Sequence, residues 1–422
     1  MSAGFGTGYV KRRRRAGWPD SCGHYMKVLI DGRRFESALL RHTDRYTSAL
    51  ITHLAQRGLA VYLLYDASTV ASVASLQSGN IGNLPVRGRV GFLREQMYLP
   101  MLLGRGNYDL LHIPTEETTA PYFSPCPVVM TFLSPAKRQD HAKPAENAVA
   151  PFAGVRRRIR SGSVDHIIAP SEYCRRHVVS ALAVPPDRIS VIPFAGIEGC
   201  GSAEETSGTR EALGQLGVRA PYLLNAGGYE SEEDAKLLLA AFAEVRQVQA
   251  GLQLVLTGMN MPSVHLLEHA QMLGLTVDEE VLFLFDVGEA MQVLYDGAEL
   301  ALSVAADRVC QPWILQAMAR GLQVVCTATG CAAEMVGCAG KVIPRPDPHD
   351  AARTTMFLLS SGTKAQRRAA ARQQAERFSW KKIVDETIAV YEVVVSQRKG
   401  RAMDRNPIYR RPPLRNDRGA DT

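Results

Sequence analysis

No run of 18 apolar residues occurs in this sequence, so nothing in it reads as a membrane-spanning helix. No C-x-x-C pair occurs either among the eight cysteines. That excludes the ordinary structural zinc modules and leaves reduced thiols in a cytosolic protein as the expectation. The basic stretch Lys11-Arg12-Arg13-Arg14-Arg15 precedes no apolar run, so it is not the leading part of a signal peptide. Aromatic residues make up only 7% of the chain, and no basic stripe interleaved with them runs through its body. A specific nucleic-acid groove is therefore not expected.

What is present suffices for two α/β domains: 422 residues, 46% of them hydrophobic and 22% charged. The net charge of +7 is uneven, with residues 1–25 carrying five Lys/Arg against one Asp and residues 398–422 eight against three. The body between them is slightly acidic. Both ends read as solvated, disordered tails that could touch anionic lipid or an acidic partner. Met26 is an alternative start, since ordered structure is expected from the strand Lys27–Asp31 onward.

Strand and helix patterns alternate along the body, the signature of βα units on parallel sheets. Strands are expected at Lys27–Asp31, Ala60–Tyr65, Leu110–Ile113, Val128–Phe132, His166–Ala169 and Ile189–Ile192. Helices are expected near Thr43–Gln56, Val90–Leu103, the basic Val155–Arg160, and after Ser171, with a polar loop following Tyr65. The Gly-, Ser- and Glu-rich residues 199–220 read as a linker, giving a first domain over 26–198 and a second over 221–378. The second opens with a strand running into Gly227-Gly228, and a helix from Glu232 follows with Ser231 as N-cap. A last helix spans 379–397.

One stretch organises the rest. Ala301–Val304 reads as a strand, Gln311–Arg320 as a helix ended by Gly321, and Gln323–Thr327 as a buried parallel strand. Pro312-Trp313-Ile314-Leu315-Gln316-Ala317-Met318-Ala319-Arg320-Gly321, continuing through Val325, resembles the donor-site signature of the family 4 glycosyltransferases of the GT-B fold. Arg45-Tyr46-Thr47, Arg94-Glu95-Gln96, Asp109-Leu110-Leu111-His112, Ser171-Glu172, Gly227-Gly228 and Phe378-Ser379-Trp380 stand in the order and spacing this resemblance requires, from about Lys27 to Val395. It implies two Rossmann-like domains facing across a cleft, nucleotide-sugar donor on the second and acceptor on the first, with the last helix crossing back.

The chemical residues depart from that family at four places. Where it carries two glutamates, this chain has Arg308 and Gln316; Asp307 is adjacent and could act as an acceptor, and Gln316 could still bond a ribose. Where it carries an arginine and a lysine for the diphosphate, the residues are Tyr229, Glu230, Ser231, Glu232, Glu233 and Asp234. One charge contact at about 4 Å is worth about 4 kcal/mol at an effective dielectric of 20, so acids in place of cations oppose a diphosphate strongly. These acids read as a helix start; as a sharper alternative, Glu230, Glu232, Glu233 and Asp234 could hold Mg2+. Where the family shows His-Asp there stand Leu133 and Ser134, and Arg41-His42-Thr43-Asp44 replaces a glycine-rich loop.

Donor-side candidates are thus Gly227, Gly228, Asp307, Arg308, Gln316 and Glu334, and acceptor-side candidates His112 and Arg45. Two readings stand. In one, the chain is a pseudo-glycosyltransferase that binds or partners an active relative in glycan or glycolipid assembly. In the other, it is an active transferase with a rewired site. Peripheral contact with the inner membrane face through Val155–Arg160 is a further expectation. A cleft filled by Trp313, Arg308 and the 41–44 loop favours the first reading.

Overall fold

Two parallel sheets grow out of the βα alternation. The computed structural model describes residues 25–33, 42–67, 81–86, 94–115, 120–132, 162–196, 207–229, 231–258, 260–285, 287–305, 311–328 and 330–405. The first sheet has seven strands: β1 (Lys27–Asp31), β2 (Ala60–Asp66), β3 (Ile81–Val86), β4 (Leu110–Ile113), β5 (Val128–Thr131), β6 (His166–Ala169) and β7 (Ile189–Val191), in the order β3-β2-β1-β4-β5-β6-β7. The second has six: β8 (Tyr222–Asn225), β9 (Gln253–Gly258), β10 (Val281–Phe285), β11 (Leu300–Ser303), β12 (Val324–Thr327) and β13 (Lys341–Ile343), in the order β10-β9-β8-β11-β12-β13. All pairings are parallel. The strand order reverses at β1/β4 and again at β8/β11, and crevices beyond the carboxyl ends at such points are where ligands bind in open α/β sheets.

The central strands are buried on both faces, which is why they read as unbroken apolar runs: β4, β5, β8, β11 and β12 have no exposed residue. Helices cover them: α1 (His42–Gln56), α2 (Leu99–Gly106), α3 (Glu172–Leu182), α4 (Ser207–Gln215), α5 (Glu232–Val248), α6 (Val264–Met272), α7 (Met291–Gly297), α8 (Trp313–Ala319), α9 (Ala332–Val336), α10 (Pro348–Ser360), α11 (Lys364–Glu376) and α12 (Trp380–Arg405). As expected, α12 crosses back to the first sheet. Its Trp380, Ile383, Val384 and Tyr391 are buried in one cluster with Leu50, Ile51 and Leu54 of α1. The Trp380 ring stacks on Tyr46 at 5.2 Å and on His53 at 4.6 Å. Each fully buried aliphatic or aromatic side chain of this kind contributes about 1.5–3 kcal/mol, enough to fix the helix there.

Several expectations need correction. The polar loop after β2 contains strand β3; Gly82 and Pro85 break its apolar pattern, and its place at the sheet edge tolerates a proline. Of the helix expected over Val90–Leu103, residues 90–93 lie outside the described residues, and the rest is a π-helical turn, Arg94–Tyr98, leading into α2. Pro100 has no N–H to give to the carbonyl four residues back, so the ladder changes register there. The stretch read as linker holds α4, whose Leu213 is buried together with Val218 and Tyr222. The last helix does not stop at residue 397 but runs to Arg405, ahead of the first helix-breaking residue, Pro407. Cys126, Cys174, Cys326 and Cys338 are free thiols, but Cys331 is disulfide-bonded, with its partner outside the described residues. Reduced thiols throughout were expected because spacing along the chain does not report which cysteines the fold brings together. Val155–Arg160 lies outside the described residues, and among those described no helix is long and apolar enough to cross a membrane.

Candidate functional site

Aromatic side chains pack against the ends of β8 and β9 in the second sheet. At the end of β8, the buried Asn225 amide donates to the Leu302 carbonyl at 2.7 Å, while its oxygen accepts from the Gly227 amide at 3.1 Å. One amide of the glycine turn is therefore already spent on the protein itself. Gly228 follows with φ +92°, a conformation that glycine adopts without strain. Trp313, the first residue of α8, is 1% exposed, and a Cβ on Gly227 would stand 2.7 Å from its indole nitrogen. Glycine at 227 is thus required by the tryptophan. The buried indole N–H has no hydrogen-bond partner among the described residues.

Tyr229 turns inward from the same turn. It is 4% exposed, its hydroxyl donates to the Asn260 carbonyl at 2.5 Å, and its ring lies where a Cβ on Gly258 would be 2.6 Å away. Phe283 packs edge-on against it at 5.4 Å. A buried ring therefore fills the end of β9 just after the Gly-Gly turn.

The acids that follow build a helix start. Ser231 caps α5, its hydroxyl accepting from the Asp234 amide at 3.5 Å. Glu232 accepts from the Ser263 hydroxyl at 2.5 Å and lies 3.7 Å from Lys236. That hydrogen bond chiefly holds the Glu232 carboxyl below its usual range. Glu232, Glu233 and Asp234 all lie in the first turn, where the helix dipole favours them. Glu230 lies outside the described residues. Among those described, no group of three His, Cys, Asp or Glu is arranged to hold a metal.

Residues 306–310, with Asp307 and Arg308, also lie outside the described residues, but the loop's two ends are pinned. The Thr327 hydroxyl donates to the Ala305 carbonyl at 2.6 Å, and Ser303 hydrogen-bonds Gln311. Gln316, on α8, is half-buried.

Glu334, a donor-side candidate, reaches across to the first domain. From α9 its carboxylate accepts the backbone amides of Glu172 and Tyr173, both at 2.8 Å, at the start of α3. The acid thereby clasps the first domain from the second, at the positive end of a helix whose N-cap, Ser171, already serves the Cys174 amide. A further contact between the halves is the Gly196 amide on the Phe378 carbonyl at 3.1 Å.

On the first sheet, His112 is fully buried and hydrogen-bonds the Thr131 hydroxyl through Nε2 at 2.8 Å and the Tyr391 hydroxyl through Nδ1 at 2.6 Å. Burial pushes its pKa down to about 3. It is a neutral tie between β4, β5 and α12, which corrects its standing as an acceptor-side candidate. Arg45 lies on α1, its side chain outside the described set; Arg41, Leu133 and Ser134 lie outside the described residues altogether. A pair the sequence reading missed stands at the end of β1. Asp31 is fully buried, and the Arg33 guanidinium meets it with two bonds of 2.8 and 2.6 Å. Two opposite charges two residues apart at the end of a buried strand are the signal that could have found it.

The Glycosyltransferase Family 4 sequence model matches residues 43–194, and the Glycosyl transferases group 1 model matches residues 220–361. The chain belongs to the family 4-like glycosyltransferases of the GT-B fold. A glycosyltransferase from Rickettsia africae superposes with a TM-score of 0.70 at 14% identity, covering 88% of this chain and 99% of that one. Anabaena HepE, solved in complex with UDP and glucose, superposes at 0.67 with 16% identity, over 87% of this chain and 100% of its own. Sucrose-phosphate synthase from Thermosynechococcus elongatus superposes at 0.65 with 17% identity, over 88% and 100%. No curated protein sequence matches the chain. At these identities the superpositions establish the fold and leave the chemistry to the side chains.

At the end of the second sheet, several groups already serve the chain itself. Tyr229 bonds the chain's own carbonyl, Glu232 its own hydroxyl, and the Gly227 amide its own asparagine. None of the three offers a fixed positive charge to a departing phosphate.

Proposed function

We propose that this chain is a pseudo-glycosyltransferase: a cytoplasmic two-domain scaffold that serves as a binding or partner subunit in glycan or glycolipid assembly, pairing with an active glycosyltransferase. The observation that carries this reading is the aromatic closure of the second sheet. Tyr229 and Trp313, buried around Gly258 and Gly227, occupy the strand ends where a nucleotide diphosphate would lie. The acids of the α5 start add negative charge where phosphates require cations.

The second reading, an active transferase using a nucleotide sugar through a rewired site, draws support from Gln316. Its side-chain amide makes no hydrogen bond among the described residues and could hold a ribose.

Thermal unfolding of the full chain against nucleoside diphosphates and nucleotide sugars, with and without Mg2+, separates the two. A ligand at about 100 times its Kd stabilises the folded state by about 2.7 kcal/mol, a clear shift in midpoint. No shift at millimolar ligand is the expected result. A shift with one nucleotide overturns the pseudoenzyme reading and names the donor.

A further inference from the structure

Glu334 can hold the first domain only if α9 points it there, and α9 cannot set its own direction. A helix of five residues is too short to be stable by itself and takes its orientation from what packs on it. Its apolar side is served by α11, with Met335 and Val336 buried in one cluster with Ala371 and Ala375. Apolar burial is non-directional, so a directed contact is needed to fix how α9 is turned. The last carbonyls of α9 are also orphans, since no later helical residue donates to them.

Gln374 supplies that contact. From the last turn of α11 its buried side-chain amide donates to the Met335 carbonyl at 3.1 Å, next in the chain to Glu334. The amide lies so close to the end of α9 that a Cβ on Gly337 would stand 2.6 Å from its nitrogen. Its oxygen accepts from the Arg377 guanidinium at 3.2 Å. Exchanging oxygen and nitrogen would set acceptor against carbonyl and donor against guanidinium, so the two partners fix the amide in one orientation. This turn of α11 is also where the chain leaves the second domain. Phe378, next after Arg377, accepts the Gly196 amide at 3.1 Å where the halves cross. Gln374 therefore stands between two contacts that join the halves, the crossing at Phe378 and the Glu334 carboxylate on the Glu172 and Tyr173 amides.

We propose that Gln374 is the positioning residue of the interdomain clasp. It aims α9, and with it Glu334, at the start of α3 from the same turn of α11 that forms the crossing. The two halves are then held by one connected device rather than by two separate contacts. Gln374 touches neither α3 nor the first domain's amides; it acts through the direction it gives to α9. The device does not depend on what the donor side binds.

Hydrogen exchange of the full chain, read at single amides, is the test. Gln374→Met keeps the volume of the side chain and removes both polar ends. The Glu172 and Tyr173 amides are expected to exchange about fivefold faster in it, the factor that one neutral hydrogen bond is worth. The Cys174 amide, bonded to Ser171 within its own domain, should keep its rate. In Glu334→Ala the two amides have already lost their acceptor, so adding Gln374→Met should change them no further. A merely structural role for Gln374 would speed all three amides, with or without Glu334. Should Gln374→Met fail to fold, Arg377→Met, at an exposed position, frees one end of the Gln374 amide. It is expected to speed the same two amides about twofold, a partly exposed bond lying at the low end of the usual range. Wild-type rates at Glu172 and Tyr173 in the variant that folds overturn the proposal. So does an equal acceleration by Gln374→Met in the presence and absence of Glu334, or a matching rise at Cys174.

Discussion

The two sheets share a strand order yet end their central strands in opposite ways. Beyond β1 and β4 the first sheet buries polar groups that satisfy one another: the Asp31–Arg33 pair, and His112 between two hydroxyls. Beyond β8 and β9 the second buries rings, Trp313 and Tyr229, against glycines. Topology therefore positions a crevice without deciding its chemistry. A polar end that is internally satisfied and an end packed with aromatic rings should fail differently when cut.

The largest contrast is expected from truncating the two strand ends. Asp31→Ala leaves the Arg33 guanidinium buried without its carboxylate, and removing one partner of a buried pair costs about 3–5 kcal/mol. Asn225→Ala, at the end of β8, removes two neutral hydrogen bonds at about 1 kcal/mol each. Denaturant midpoints of the two variants measure the difference directly. Equal losses would break the comparison.

Acid should find the polar end as well. The folded-state pKa of His112 is depressed to about 3 from 6.5, so its unfolded form binds a proton that the folded form refuses. Its contribution is complete above about 6.5 and is lost as pH falls toward 3, reaching about 2 kcal/mol at pH 5 by linkage. Stability measured against pH, wild type beside His112→Gln, is expected to show a shallower acid slope in the variant. Next in size is the aromatic end. Gly227→Ala drives a methyl to within 2.7 Å of the Trp313 indole, and overpacking of that kind costs about 1–3 kcal/mol. Combining it with Trp313→Phe should recover part of the loss, since the smaller ring leaves room; additive losses would mean that the two residues do not meet.

Much of this frame is legible in the sequence because parallel strands buried on both faces are long apolar runs closed by glycine, as Gln323–Thr327 and Tyr222–Gly228 are. The Ser231 cap is equally local and was readable. β3 was not, since an edge strand can carry Gly82 and Pro85, and α4 was not, since Gly and Ser mask a helix held by Leu213. The site itself is the least legible part. Tyr229 is inward because Gly258 makes room for it from the neighbouring strand, and no spacing rule connects the two. Glu334 finds its amides 161 and 162 residues away, a partnership that only the assembled halves create.

That clasp gives the smallest expected effect and the sharpest probe of how the halves are held. Glu334 is exposed, and a carboxylate at a helix N-terminus is worth about 0.3–1 kcal/mol, weakened by salt. Glu334→Gln keeps one acceptor oxygen and loses the charge and the second acceptor, so the thermal midpoint should move little while the clasp loosens. Hydrogen exchange reads it where stability does not. The Glu172 and Tyr173 amides should exchange faster in Glu334→Gln and faster still in Glu334→Ala, whereas the Cys174 amide, held by Ser171 within its own domain, keeps its rate. A matching rise at Cys174 would mean that α3 frays as a whole and that its own cap, rather than the second domain, governs its start. Unchanged exchange at all three would mean that the two halves part often enough in solution for the clasp to protect nothing.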